Sequence, residues 1–479
     1  MPVADARHAS VCEPDFASVF PLPLTTLESF MVADSKPDYP MMCDLEIHCR
    51  GRVDRPALEA ALAFAAARNP LFSSRIDRTR AGLAWVPNRA PAAVQTIGMQ
   101  DQPDASYGAP TDLASKPGLR VWVRQGEDEA SIVVHFHHAC SDAVGGLGFI
   151  EDMMAGYAAA CPGGPRIEPR PLAPDRLKGR GELGLAGRSW WRRIHDEVAG
   201  AREGARFLLQ APAPLAPAAG PAGDPASRPG FPLNATCSDD VTAALRRVAR
   251  DARATLNDVL LRDLFVTLQR WNQDCGGQPE RQRLRILMPQ NLRGPEDAAM
   301  PAANAMGFAF LTRRSPSCDD PQEMLHALRD ETDTIRRGQL SLYFLAGLAW
   351  LQSARVQSLV LGTGMCFATA VLTNIGDPLR QFVTQFPVTD GGLAVGNLIV
   401  HGITGVPPLR PQTHAAIAIA INRGRLSISC RADHRRYSAV DARRFLDAYL
   451  ARLHATAGRA VLPSTHAPAT ALQPERAGR

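Results

Sequence analysis

Residues 208–233 read LLQAPAPLAPAAGPAGDPASRPGFPL, and no other stretch limits the fold so strongly. Repeated Pro and Gly remove backbone donors and favour non-helical dihedrals, so the stretch sustains neither helix nor strand and predicts an extended crossover. It cuts a 479-residue chain, too long for one ordinary core, into halves of similar size. The expected organisation is a flexible N-terminus at 1–18, a first subdomain at 19–205, the crossover at 206–232, a second subdomain at 233–460 and a disordered tail at 461–479.

Both halves mix two periodicities. In the first, DRPALEAALAFAAARNPLF (54–72) predicts a helix stopped at Asn69-Pro70. LRVWVRQ (119–125) and ASIVVHF (130–136) predict a hairpin across GEDE, and LGFIEDMMAGYAAA (147–160) a helix. In the second, 238–252, 255–271 and 439–457 carry helical patterns, while 284–290, 365–374, 415–422 and 425–433 read as strands. The fold class that follows is α/β, with a sheet in each half.

Composition removes several function classes. Apolar residues at 45% and charged residues at 21% are ordinary for a packed globule. The net charge of +5 is scattered. RSWWRRIH (188–195) and DHRRY (433–437) read as solvated faces, with a groove for a phosphate-bearing substrate as the alternative. No nucleic-acid motif occurs. Ten cysteines stand singly without a C-x-x-C pair, which suits reduced thiols in a cytoplasmic protein. The greasiest region, 340–372, is interrupted by Gln352, Arg355 and Gln357, so no membrane span is expected.

The chemistry concentrates in SIVVHFHHACSDAVGGLGF (131–149). Strand alternation sets Val133, His135 and His137 on one face and Val134 and Phe136 on the other, with His138 at the strand end. Four readings fit. His135 and His137 could be a zinc pair, although Asp142 is out of the H-x-H-x-D-H spacing and no third ligand is marked. Cys140 beside His138 could be a nucleophile, given a stabilised thiolate. The histidines could be satisfied core groups. Or one imidazole, with a pKa near 6.5, could be a general base for direct attack on an acyl carbonyl.

HHACSD resembles the HHxxxDG signature of the chloramphenicol acetyltransferase-like acyltransferases, which include condensation domains, alcohol acetyltransferases and wax ester synthases. ARNPLFSSRI (67–76), TLNDVLLRDL (255–264), QNLRGPEDAAMPAANAMGFAF (290–310), VLTNIGDP (371–378) and the closing RLSISCRADHRRYS are similar to that group's segments, in the same order. The resemblance implies two such subdomains, each a mixed sheet with helices, around a central tunnel. It implies transfer of an acyl group from a coenzyme A or carrier-protein thioester to a hydroxyl or amine. His138 would be the general base and His137 a supporting residue. Asp142 would pair with an arginine, Arg293 first and Arg285 in reserve. Asn374 would line the tunnel and could stabilise an oxyanion. No metal and no permanently bound cofactor is implied; the partners are a small-molecule donor and acceptor and, in one branch, an acyl or peptidyl carrier protein. The chain carries neither a D-S-L carrier signature nor an adenylation module, so a carrier would arrive separately. One position departs: the motif glycine is Ala143, with glycines delayed to Gly145 and Gly146. A positive φ there would tilt His138. The competing expectations are a stand-alone condensation domain and a binding protein on a catalytically retired fold.

Overall fold

The structure, a computed structural model, describes residues 15–458 apart from 89, 166, 183–206, 208, 219–228, 278–281, 339–340, 363 and 390. The chain up to 14, the basic cluster at 188–195, much of the crossover and the tail from 461 lie outside the described residues.

In chain order the first half forms β1 (Leu22–Pro23), α1 (Thr26–Asp34), β2 (Met42–Arg50), α2 (Arg55–Arg68), β3 (Arg75–Thr79), β4 (Gly82–Val86), β5 (Ala93–Gly98), β6 (Leu119–Gln125), β7 (Glu129–His137) and α3 (Ala143–Ala160). The second forms β8 (Leu233–Thr236), α4 (Asp239–Asp251), α5 (Leu256–Asp274), β9 (Arg283–Asn291), β10 (Met306–Arg314), α6 (Pro321–Gly338), α7 (Ser341–Ser353) and α8 (Gln357–Gly362). It continues with β11 (Ala370–Asn374), β12 (Val388–Thr389), β13 (Gly392–Val395), β14 (Leu398–Val406), β15 (Ala415–Asn422), β16 (Arg425–Ala432) and α9 (Ala439–Thr456). Side chains fix most helix starts by accepting from free backbone N–H groups. Thr25 with Glu28 and Thr255 with Asp258 form capping boxes, and Asp54, Asp142, Ser238 and Ser438 cap α2, α3, α4 and α9.

Two large sheets result. The first has seven strands in the order β12-β13-β14-β2-β7-β6-β5, and the second six in the order β10-β9-β11-β15-β16-β8. A small three-stranded sheet, β1-β4-β3, stands beside them. β7 lies inside the first sheet, antiparallel to β2 and β6, with His135 opposite Asp44 and His137 opposite Met42. Val134 and Phe136 face the helices α2 and α3, in a core with Leu45, Ile47, Leu58 and Ile150. A second core joins α5, α9 and the sheet of the second half through Leu264, Phe265, Ile286, Ile417 and Tyr449.

The halves are interlocked. β12, β13 and β14 come from the 233–460 stretch, yet they complete the first sheet, with β14 antiparallel to β2. Aspartates of the first half also meet arginines of the second: Asp34 with Arg410 at 2.7 Å, Asp38 with Arg435 at 2.7 Å and Asp44 with Arg431 at 2.5 Å. The strand expected over 365–374 is shorter, Ala370–Asn374, because α8 and an irregular segment occupy the residues before it. Among the described residues no helix is long and apolar enough to cross a membrane.

Candidate active site

The histidine motif fills the turn between β7 and α3, and main-chain bonds hold that turn on both sides. The His137 N–H donates to the Gly118 carbonyl at 2.8 Å, the His138 N–H to the Met41 carbonyl at 2.7 Å and the Cys140 N–H to the His137 carbonyl at 2.8 Å. His138 is 9% exposed. Its Nδ1 lies 3.0 Å from the Ser141 carbonyl, which can only accept, so Nδ1 carries the proton and Nε2 keeps its lone pair. Burial lowers the His138 pKa from 6.5, while Asp142 and the Ser141 carbonyl act against that. The ring is therefore a neutral imidazole at neutral pH, with its free lone pair on Nε2.

The neighbouring histidines are engaged differently. His137 Nδ1 accepts from the Ala139 N–H at 3.1 Å, and burial, with His138 and His135 adding to it, pushes its pKa down to about 3. His135 Nδ1 donates to Asp44 Oδ1 at 2.5 Å, and Asp44 also accepts from Tyr107 and Arg431. Burial acts to raise the Asp44 carboxyl, but Arg431 and His135 hold it below its ordinary value. Burial dominates at His135 and lowers it. That cluster is thus an ion pair of Asp44 and Arg431 with a neutral imidazole leaning on it, and it ties the two halves together. Among the described residues no group of three His, Cys, Asp or Glu is arranged to hold a metal ion. Burial also drives the Cys140 thiol far above its ordinary value, which removes the thiolate that a nucleophile needs.

Asp142 joins the motif to the second half. Its Oδ1 accepts from the Gly145 N–H at 2.9 Å, capping α3. Its Oδ2 accepts from Arg293 Nη1 and from the Ala305 N–H, each at 2.8 Å. Arg293 Nη2 donates to the Ala303 carbonyl at 2.7 Å. The segment before β10 is thereby clamped against the histidine turn. Asn304 Nδ2 completes the clamp, donating to the carbonyls of His138 at 2.7 Å and Ala139 at 2.9 Å. Asn69 accepts from the Ala302 N–H at 2.8 Å and donates to Asp152, which also binds Arg68. Sequence reasoning gave Asn304 and Asn69 no such part: one was a letter in PAANAMG, the other a helix stop.

His137, His138, Asp142 and Arg293 are brought together. Two residues considered with them make their hydrogen bonds to other partners. Arg285 is buried elsewhere, donating to Thr312 Oγ1 at 2.9 Å and the Gln210 carbonyl at 2.7 Å, with its guanidinium 4.4 Å from the Phe207 ring centre. Asn374, at the exposed end of β11, donates to Asn257 at 3.3 Å and accepts from the Gly376 N–H at 2.9 Å, and neither bond reaches the motif. Ala143 brings no strain. It is the first residue of α3, follows Asp142 at φ −87° and is not among the residues with positive φ. The glycine that geometry requires is Gly145, where a Cβ would lie 2.9 Å from the backbone nitrogen of Ala303.

No family model matches the chain. Two uncharacterized proteins from strains of Mycobacterium tuberculosis, Rv2305 and MT2362, are each 29% identical to it over 286 residues, 57% of this chain and 62% of theirs. The chain thus spans less than two thirds of the length of these curated relatives. Solved structures match over far more of it. The first condensation domain of the CDA synthetase aligns with a TM-score of 0.62 at 13% identity, covering 92% of this chain and 97% of that one. A mutant starter condensation domain of rhizomide synthetase RzmA, in complex with C8-CoA, aligns with a TM-score of 0.61 at 14% identity, covering 92% and 96%. The fold is therefore that of the condensation domains, two α/β subdomains of the chloramphenicol acetyltransferase type.

Proposed function

We propose that this protein is an acyltransferase that moves an acyl group from a coenzyme A or carrier-protein thioester to a hydroxyl or amine, with His138 as general base. The observation that carries this reading is the His138 imidazole, fixed through Nδ1 on the Ser141 carbonyl so that Nε2 keeps its lone pair. Nε2 takes the acceptor's proton as its oxygen or nitrogen attacks the thioester carbonyl. The tetrahedral intermediate collapses, the C–S bond breaks, and the leaving thiolate takes the proton back from the imidazolium. Atoms balance without a metal or a covalent enzyme intermediate. A positioned base of this kind supplies roughly 10²–10⁴-fold in rate. Asp142, Arg293 and Asn304 do not touch the reacting atoms; they hold the turn that orients the ring, and His137 supports it.

In this reading donor and acceptor enter a tunnel between the 19–205 and 233–460 portions and meet at His138. Two facts support a thioester donor: the motif, and the complex of the RzmA domain, which shares this fold, with C8-CoA. The condensation-domain neighbours favour one second reading, a stand-alone condensation domain acting on carrier-bound substrates. Incubation with a panel of acyl-CoAs plus alcohols and amines, following free thiol release, tests the first reading; loaded carrier protein tests the second. Absence of turnover with both donor types, in a protein whose melting is normal, would leave a binding protein on this fold.

A further inference from the structure

Asn304 uses only one end of its amide to hold the fold. Nδ2 donates to the His138 carbonyl at 2.7 Å and to the Ala139 carbonyl at 2.9 Å. Those two bonds settle which end is nitrogen, since an oxygen there would face two acceptors. The other end, Oδ1, is buried and accepts nothing from the described residues, in a residue only 2% exposed.

The turn has no donor left to give it. The Ala139 N–H goes to His137 Nδ1 and the Cys140 N–H to the His137 carbonyl. The Asp142 N–H goes to the Ala303 carbonyl at 3.4 Å and the Ala305 N–H to Asp142 Oδ2. The side chains clustered there, among them Ala139, Ala303, Ala305 and Met306, carry no N–H or O–H. A buried acceptor without a donor is destabilising, and folded proteins keep one only for a reason. Oδ1 is two bonds from the nitrogen that grips the carbonyl of His138, so the orphaned acceptor belongs to the neighbourhood of the base.

The nucleophile is what acyl transfer brings to that neighbourhood. A primary amine carries two N–H bonds. His138 Nε2 takes one hydrogen as nitrogen attacks the thioester carbonyl, and the other stays on nitrogen into the amide product. An alcohol or a secondary amine has none left once the base has taken its own.

We propose that Asn304 Oδ1 holds the N–H that a primary amine acceptor keeps, so that the protein acylates primary amines in preference to alcohols and secondary amines. The inference rests on the acyl-transfer reading. The C–N bond forms, the C–S bond breaks and the proton on His138 passes to the leaving thiolate. No bond to Asn304 forms or breaks.

Matched acceptors test it: 2-phenylethylamine, its N-methyl derivative and 2-phenylethanol, and the corresponding n-octyl set, with acetyl-CoA and octanoyl-CoA. Amines are also intrinsically better nucleophiles, so the readout is kcat/KM for amine over alcohol in the parent against the same ratio in Asn304→Leu. Losing the Nδ2 grip slows every acceptor alike and cancels in that ratio. Losing Oδ1 should cut the primary-amine preference by roughly tenfold to a hundredfold. A second measurement needs no variant and no turnover. By calorimetry, N-(2-phenylethyl)acetamide should bind the parent about tenfold or more tighter than its N-methyl derivative or 2-phenylethyl acetate. An unchanged ratio in Asn304→Leu, as when Oδ1 merely holds a water, or equal affinity for the three product analogues would overturn the inference while turnover leaves the acyl-transfer reading standing. Absence of thiol release from every set, with acyl-CoA and with loaded carrier protein, would overturn both.

Discussion

Replacing Asp142 with alanine should destabilise the protein by about 4 kcal/mol, and the figure can be assembled from the bonds lost. The α3 cap to Gly145 is worth roughly 1 kcal/mol. The Ala305 N–H would be buried without its acceptor, at roughly 1–3 kcal/mol. Arg293 would lose its counter-charge, and stranding one member of a buried pair costs roughly 3–5 kcal/mol. That last figure is an upper bound, because Arg293 keeps the Ala303 carbonyl at 2.7 Å and Asn291 Oδ1 at 3.2 Å. The three losses share one carboxylate and do not add in full. Equilibrium urea unfolding of Asp142→Ala, Arg293→Met and the double variant measures the effect. The double variant should be less destabilised than the two singles together, since removing the guanidinium removes the stranded charge. If Asp142→Ala unfolds within about 1 kcal/mol of the parent, or if the two changes add, the clamp between motif and second half is not the stabilising feature argued above.

Three further outcomes are expected. His138→Ala should lose about 10²–10⁴-fold in turnover while melting like the parent, because the ring contributes a lone pair rather than packing between the halves; a large fall in melting temperature would refute that division of roles. The acid limb of the pH–rate profile should have its midpoint below 6.5, since burial lowers His138 and a base is active only while unprotonated; a midpoint at 7 or above would remove His138 as the base. His137 makes a third. Its pKa is about 3 in the folded protein and near 6.5 unfolded, so below pH 6.5 the unfolded chain binds the extra proton. Its stabilisation is full above pH 6.5 and is lost as pH falls toward 3, by roughly 2 kcal/mol between pH 6.5 and 5. His137→Gln should flatten the dependence of urea midpoints on pH; an unchanged slope would refute the assignment.

What the sequence made legible was local. β7, its turn and α3 could be read because alternation, three adjacent titratable groups and a capping aspartate fall within twenty residues. Arg293 could be found only through a resemblance, since nothing in the spacing of NLR says that it lies beside Asp142. Asn304 stayed hidden for a related reason: an amide that grips two main-chain carbonyls leaves no periodicity or motif of its own. β12 to β14 were missed because VTDGGLAVGNLIVHGITGV is rich in glycine, which weakens the strand signal, and because their partner β2 is far away in sequence. α7 and α8 were read as one greasy stretch, since an apolar helix with no polar face gives no moment to follow. Asn374 was read correctly as a strand end, but where that end lies relative to the motif depends on how the two sheets meet.

The pairing of β14 with β2 also bears on how the protein is made. β2 is complete when residue 50 emerges from the ribosome, but its partner spans Leu398–Val406. At ordinary elongation rates the first sheet waits tens of seconds, roughly 15–70 s, with one long hydrophobic edge bare. Such an edge is a template for pairing with another nascent chain. The histidine turn is also unfinished during this interval, because Arg293 and Asn304 have yet to be synthesised for most of it. Yield of active protein should therefore depend on what shields β2 during translation, and less on the stability of the finished fold.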